Sequence, residues 1–256
     1  MISYKKGGDI LLKVKLLAYT PEPEKVIAIA ARICYSNKAD IETIADGFTE
    51  EEISKFIEQL ISSGHHSVLE HSSFSFGIEG ISRVVSHELV RHRIGIAVSQ
   101  RSQRYCSEDE AEFVVPDIIA DGTEKVDEIF WSSVANSLGD YKDLLREEIP
   151  KEAARYVLPN ATATRMIVTM NARELRHFFA LRCCRRALPE MQNLATFMLS
   201  EVKKVAPALF KNAGASCVQL GYCPEGKRSC GLKPTLEKLK EGYHLAKDLE
   251  RNNNGQ

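Results

Sequence analysis

Charge of one sign, long apolar runs and tryptophan are all scarce in this sequence. With 34 basic against 35 acidic residues, net charge is near zero, which argues against a general nucleic-acid or membrane surface and makes any basic site local. No apolar stretch reaches membrane-spanning length. Lys5 and Lys6 precede Ile10, Leu11 and Leu12, but Asp9, Lys13 and Lys15 break the run that a secretory signal needs, so a cytoplasmic protein is expected. Cysteine pairs at zinc-site spacing are missing as well. Five and six residues separate Cys217, Cys223 and Cys230, outside the spacing of about two to four found in zinc sites. The seven cysteines, an odd number, read as reduced thiols, and no metal is expected. What is present is 256 residues, 44% of them hydrophobic, enough for a full core and compatible with one domain over 1–256.

The densest chemistry lies between Arg91 and Tyr105. Arg91, His92, Arg93, Arg101 and Arg104 crowd around the apolar Ile94, Ile96 and Val98, with Ser99, Gln100, Ser102 and Gln103 among them. Cations this close repel one another unless an anion joins them. Guanidinium groups grip phosphate oxygens through paired, charge-assisted hydrogen bonds, and hydroxyls and backbone N–H groups can line the same concavity. A bound polyanion is therefore implied; the plainer alternative is a solvated basic turn.

Along the chain, residues 11 to 18 alternate as a strand and Pro21 to Tyr35 reads as a helix. Thr49 and Glu52 form a capping box for a helix ending at Ser63, before Gly64. His65-His66-Ser67-Val68-Leu69-Glu70-His71 follows, three histidines and a glutamate in seven residues, whose types could ligate a metal or serve structure. Phe74, Phe76 and Ile78 predict a half-buried strand ended by Gly80, and the spacing of Ile81, Val84, Val85 and Leu89 predicts a helix to about Arg93. Arg91, His92 and Arg93 would then fan out from a helix C-terminus toward different ligands or subunits. Ser107-Glu108-Asp109-Glu110 reads as a surface loop. Thr123 to Ile149 reads as an amphipathic helix, open to interruption at Gly139, with Ile129, Phe130, Val134, Leu138, Tyr141, Leu144 and Leu145 facing the core. Ala161 to Met170 is strand-like, and Asn171 with Glu174 has the form of a second capping box. On that helix Arg173 and His177 share a face, while Arg182 turns to the opposite side with Phe178. A bland alternative for Arg182 is an ion pair with a carboxylate. Leu188 to Phe210 is a helix bent or ended near Pro207, Pro234 to Glu250 a charged helix, and Asn252 to Gln256 a disordered end.

Arg-His-Arg followed by Ser-x-Arg (Arg91 to Arg93, then Ser102 to Arg104) resembles the signature of the flavin-dependent thymidylate synthases. Eight residues, 94 to 101, separate the two halves here, one more than is usual in that family. The His65–His71 stretch, Arg155-Tyr156-Val157-Leu158-Pro159, Asn171-Ala172-Arg173 and the Leu181-Arg182 pair resemble the same family in order, over about residues 30 to 205. The resemblance implies an α+β single domain with an antiparallel or mixed sheet packed by helices, assembled as a homotetramer with sites between subunits. It leaves a cysteine-containing extension at about 211–256. It implies synthesis of dTMP from dUMP, with FAD as hydride carrier and NADPH and methylenetetrahydrofolate as co-substrates. By the same resemblance His65, Ser67, Glu70, Arg91, His92, Arg93, Asn171, Arg173 and His177 would hold FAD, with Gln100 shared between flavin and nucleotide. Ser102, Arg104 and Arg155 would hold the dUMP phosphate, with Arg101 and Gln103 offering loop contacts, Glu88 near dUMP and Arg182 at the pyrimidine. The nucleophilic cysteine of the other thymidylate synthase class has no recognisable counterpart, and Cys106 is read as incidental. Two rivals stand beside this reading: a nucleic-acid-binding module, and another nucleotide-acting flavoenzyme. Neutral charge and the lack of aromatics among the arginines oppose the first.

Overall fold

The computed structural model describes residues 11–37 and 40–240. The N-terminal lysines, the end of the expected charged helix and the last residues lie outside that range. Four antiparallel strands form one sheet in the order β1-β2-β4-β3: β1 is Lys13–Tyr19, β2 Ser73–Ser82, β3 Ile96–Gln100 and β4 Ala163–Asn171. The helices, in chain order, are α1 (Pro23–Ile33), α2 (Ile41–Asp46), α3 (Glu50–Ser62), α4 (Arg83–Leu89), α5 (Asp117–Ala120), α6 (Glu124–Arg146), α7 (Lys151–Ala154), α8 (Ala172–Arg182), α9 (Pro189–Val205), α10 (Pro207–Phe210) and α11 (Ser216–Leu220). Thus the fold is α+β. No helix among the described residues is long and apolar enough to cross a membrane.

Strand alternation builds one layer of the core. Phe76 pairs with Val168 and Phe74 with Met170, while on the far side of β4 Val98 opposes Val168 and Ile96 opposes Met170. These side chains join Ile27, Ile57, Leu175, Phe178, Phe179, Leu194, Met198 and Phe210 from the covering helices in one apolar cluster. The capping box at Thr49 and Glu52 is present as expected. A break at Ala206, before Pro207, divides α9 from α10. A smaller cluster holds Val134, Leu138 and Tyr141 of α6 against Phe113 and Ala154. Helix α6 passes Gly139 without interruption, and Ile129, expected inside, is 58% exposed.

Two differences reshape the neighbourhood of the basic stretch. Gly80 does not end β2: at φ 75° it allows an irregularity between Glu79 and Ile81, and pairing resumes to Ser82. Helix α4 therefore starts two residues later than Ile81 and stops at Leu89, so Arg91, His92 and Arg93 stand in a turn beyond its end. Ser82 makes the junction. Its hydroxyl accepts from the Val85 N–H, while its own N–H and hydroxyl donate to the two carboxylate oxygens of Glu190 at 2.6 and 2.8 Å. Burial pushes the Glu190 carboxyl up, Ser82's bonds oppose that shift, and the charge of Glu88 adds to it. Ser82→Ala removes both a cap and a bond to a partly buried carboxylate, so we expect a loss of about 1–3 kcal/mol in the unfolding free energy measured by denaturant titration. An unchanged midpoint would show that this junction does not hold α4.

Candidate functional site

Where β4 passes into α8, Asn171 caps the helix, its Oδ1 accepting from the Glu174 N–H at 2.9 Å. The Asn171 N–H in turn donates to the Gly95 carbonyl at 2.9 Å. Gly95 has φ 69°, and a Cβ there would stand 2.3 Å from Asn171 Nδ2, so only glycine lets the 91–95 turn lie this close. The expected reciprocal bond of a capping box is not made. Glu174 turns its carboxylate to His92, with Oε1 2.7 Å from Nδ1. His92 points inward, its side chain 5% exposed, while Arg91 and Arg93 on either side are exposed.

The partners of His92 determine its proton. Arg182 Nε lies 3.2 Å from His92 Nε2, and because a guanidinium can only donate, Nε2 must accept. Nδ1 therefore carries the hydrogen and donates to Glu174, an assignment made from the network. A neutral imidazole is what burial favours too. Burial pushes the His92 pKa down, the bond and charge of Glu174 oppose that, and the charges of Arg182 and His177 add to it. Phe178 packs edge-on to the ring at 5.1 Å and His177 at 6.0 Å. Arg182 is held from its other end as well, with Nη1 donating to Glu88 Oε2 at 3.0 Å. One chain of contacts thus runs Glu174, His92, Arg182, Glu88. The ion-pair alternative for Arg182 and its assignment to a pyrimidine site meet here, because its carboxylate partner is itself a candidate nucleotide residue.

Toward the start of α8, Arg173 pairs with Glu70 at 2.6 Å, joining the helix to the histidine-rich stretch. Ser67 opens a single 3₁₀ turn, Ser67–His71, and His65 packs edge-on to Tyr35. Both members of the Arg173–Glu70 pair are about half exposed, and such pairs contribute roughly 0–1 kcal/mol, against about 1.5–3 for a buried bond to a charged group such as Glu174. The exposed pair can therefore exchange partners for a ligand at little cost, whereas the buried one cannot. Arg91 and Arg93 have no ion-pair partner among the described residues.

The second half of the motif follows β3. Gln100 donates to the hydroxyls of Ser86 and Thr164, and Gln103 is buried. Arg101 turns inward to Glu108, which is 2% exposed although its acidic segment reads as surface loop. Arg104 pairs with Glu152 at 2.7 Å, and Arg155 Nε donates to the Glu152 carbonyl at 3.2 Å. Arg83 adds to the same region: burial lowers its pKa, repulsion from Arg155 adds to that, and Glu108 opposes it. No hydrogen bond or ion pair among the described residues joins Arg104 or Arg155 to Arg182. Arg83, Glu108, Glu152 and Arg165 escaped the sequence reading. None carries a local signal, since strand pairing and the loop path bring them together.

His66 Nε2 lies 3.3 Å from the Ile61 carbonyl, and Glu70 is paired with Arg173. Among the described residues, no three His, Cys, Asp or Glu side chains are arranged to hold a metal ion. Cys217 and Cys223 are buried with Cys183 and Cys184 packed against them, and burial pushes the Cys183 thiol up to about 11.

A family model described as "Thymidylate synthase complementing protein" matches residues 15–208. The flavin-dependent thymidylate synthase of Clostridium tetani is 47% identical over 250 residues, 91% of this chain and 99% of that protein. That of Geobacter sulfurreducens is 47% identical over 230 residues, 89% of this chain and 97% of that protein. Among solved structures, the UMP/dUMP methylase PolB from Streptomyces cacaoi, bound with 5-Br dUMP, aligns with a TM-score of 0.68 at 24% identity, over 78% of this chain and 94% of that one. This last likeness is one of fold.

The neutral imidazole has a consequence for stability. His92 binds a proton less readily in the folded chain than in the unfolded one, so the unfolded state gains protons first as pH falls. Stability should therefore decline below the ordinary histidine value, about 6.5, until the lower folded value is passed. His92→Gln retains a donor and an acceptor without titrating, and should flatten that part of the curve. Unfolding free energies at about pH 8 and about pH 5 for the two proteins test this, and parallel curves would contradict it.

Proposed function

The chain belongs to the family of flavin-dependent thymidylate synthases, and from that membership we propose that its basic surfaces bind FAD and dUMP for the synthesis of dTMP, with methylenetetrahydrofolate as carbon donor and NADPH as electron source. The observation that carries the reading is the holding of Arg182 by a neutral imidazole on one side and by Glu88 on the other. For C5 of uracil to accept a carbon, the ring must become electron-rich there. A guanidinium beside the O2–N3–O4 edge stabilises the negative charge that develops, and being permanently protonated it supplies a fixed field. His92 and Glu88 supply the pre-organisation, since a long side chain restrained at both Nε and Nη1 needs little reordering when charge develops.

The surface around Arg173 suits an anionic dinucleotide. Arg91 and Arg93 are exposed cations, the Arg173–Glu70 pair is exchangeable, and the close approach at Gly95 brings the Arg91–Arg93 turn against the start of α8. These residues, with His65, Ser67, Asn171 and His177, would hold FAD, which when bound supplies hydride transfer. His92 belongs to this set through its contacts with Glu174 and Arg182, acting from beneath the surface. Ser102, Arg104 and Arg155 would take the dUMP phosphate, whose charge answers the surplus of arginine there.

A homotetramer with sites between subunits completes the reading. Two observations support it: among the described residues no hydrogen bond or ion pair joins the phosphate-side arginines to Arg182, and apolar side chains beside the site stand open, Ile94 79%, Tyr105 74% and Tyr156 85% exposed. The outer face of the sheet is likewise open at Leu17 and Ile167.

Arg182→Lys keeps the charge but loses the fork and the Nε donor, so turnover should fall about 10²- to 10³-fold with little change in flavin affinity. Release of tritium from C5-labelled dUMP, alongside a flavin titration of the same variant, measures both. Wild-type release by Arg182→Lys and Arg182→Ala would make Arg182 a structural residue. Sedimentation of the flavin-loaded protein should show a tetramer, and a monomer with full flavin occupancy would exclude shared sites.

A further inference from the structure

The motif ends at Arg104, yet the loop that carries it is closed at Glu108. Arg101 enters with its backbone N–H on the Arg165 carbonyl at 3.0 Å. Its guanidinium then folds back under the loop, Nη1 donating to Glu108 Oε2 at 2.7 Å and Nη2 to the Ser107 carbonyl at 2.8 Å. The Glu108 N–H donates to the Tyr141 hydroxyl at 3.2 Å, and Tyr141 is fully buried in α6. Within the loop, the Cys106 N–H donates to the Ser102 carbonyl at 2.9 Å and the Arg104 N–H to Ser102 Oγ at 3.2 Å. The base is a two-pronged clamp on a buried carboxylate, and the loop above it presents Ser102 and Arg104.

Charge and geometry make opposite demands on Glu108. Burial pushes its carboxyl up, and the charges of Arg101, Arg83 and Arg165 oppose that shift, so it is a buried acid set among several guanidiniums. On charge alone, removing it would strengthen the pull on a phosphate. On geometry, removing it frees Arg101 and releases the loop base. We propose that geometry prevails and that Glu108 is a positioning residue for the nucleotide phosphate, acting through Arg101 to hold Ser102 and Arg104 in place. This rests on the reading above that the loop takes the dUMP phosphate. Arg101 is then a strut, withdrawn from the anion by its own clamp.

The test uses the flavin-loaded full chain, with dUMP and its phosphate-free counterpart deoxyuridine as probes. Glu108→Gln should raise the dissociation constant for dUMP about tenfold, leaving deoxyuridine and flavin affinities unchanged, and the effect should appear in KM for dUMP and not in kcat. Arg101→Lys, which keeps charge without the fork, should show a smaller loss in the same direction. Should Glu108→Gln fail to fold, Arg101→Met combined with Glu108→Leu fills the space without charge and should show the same dUMP-specific loss. Unchanged or tighter dUMP binding in the folded variants overturns the proposal, as does an equal loss for deoxyuridine. Ser102→Ala separates the two claims. If it leaves dUMP affinity intact, the phosphate reading of the loop fails and the proposal with it; if it weakens dUMP while the clamp variants do not, only the clamp fails.

Discussion

The bond between Arg182 Nε and His92 Nε2 exists only while that imidazole is uncharged, and much of the site is arranged around this requirement. Burial under α8, the apolar edge contact with Phe178 and the positive charge of Arg182 all disfavour the imidazolium. Glu174 would favour it, yet its carboxylate also anchors the Nδ1 hydrogen and so selects the tautomer that leaves Nε2 free to accept. The same Glu174 donates its backbone N–H to Asn171, and Asn171 receives the turn at Gly95. The orientation of Arg182 is thereby tied through one residue to the end of β4 and to the turn bearing Arg91 and Arg93. A buried network of this kind tolerates partial loss poorly, because each group left without its partner bears the full cost of desolvation.

Around this fixed centre the remaining arginines divide into two kinds. Arg101 and Arg182 are partly buried and committed to carboxylates, which sets their direction. Arg104 and Arg173 are more than half exposed, in pairs that water and salt weaken, and Arg91 and Arg93 have no ion-pair partner among the described residues. The first kind shapes the surface, and the second is left free for the ligands proposed above. A long basic motif can thus carry two jobs without its charges forcing the fold apart, since the inward members are neutralised and the outward members are solvated until an anion arrives.

Local grammar was legible where neighbours in sequence are also neighbours in space. The Thr49 box, the Asn171 cap, the alternation of Phe74, Phe76 and Ile78, and the break near Pro207 all depend on residues within a few positions of one another. Reading failed where a distant partner competed. Glu174 stands at capping-box spacing from Asn171 but gives its carboxylate to His92, which lies 82 residues away. Glu108 sits in an acidic run that looks solvated, yet Arg101 and Tyr141 draw it inside. The apolar spacing that prolonged α4 to Arg93 was real, but Ser82 and the left-handed Gly95 set the ends of helix and turn instead.

By itself, the sequence determined the family, the strand and helix periodicities and the residue types offered to the proposed ligands, because composition, spacing and capping are properties of contiguous chain. Tertiary structure alone decided which of those residues face inward. His92 lies between two exposed arginines, and nothing in Arg91-His92-Arg93 marks the middle residue as the buried one. That choice follows from α8 packing over the turn, which places Glu174 and Arg182 on opposite sides of one ring. Hydrogen-bond partners brought together by strand pairing and helix packing fix a proton and a direction, and neither is encoded by any short stretch of chain.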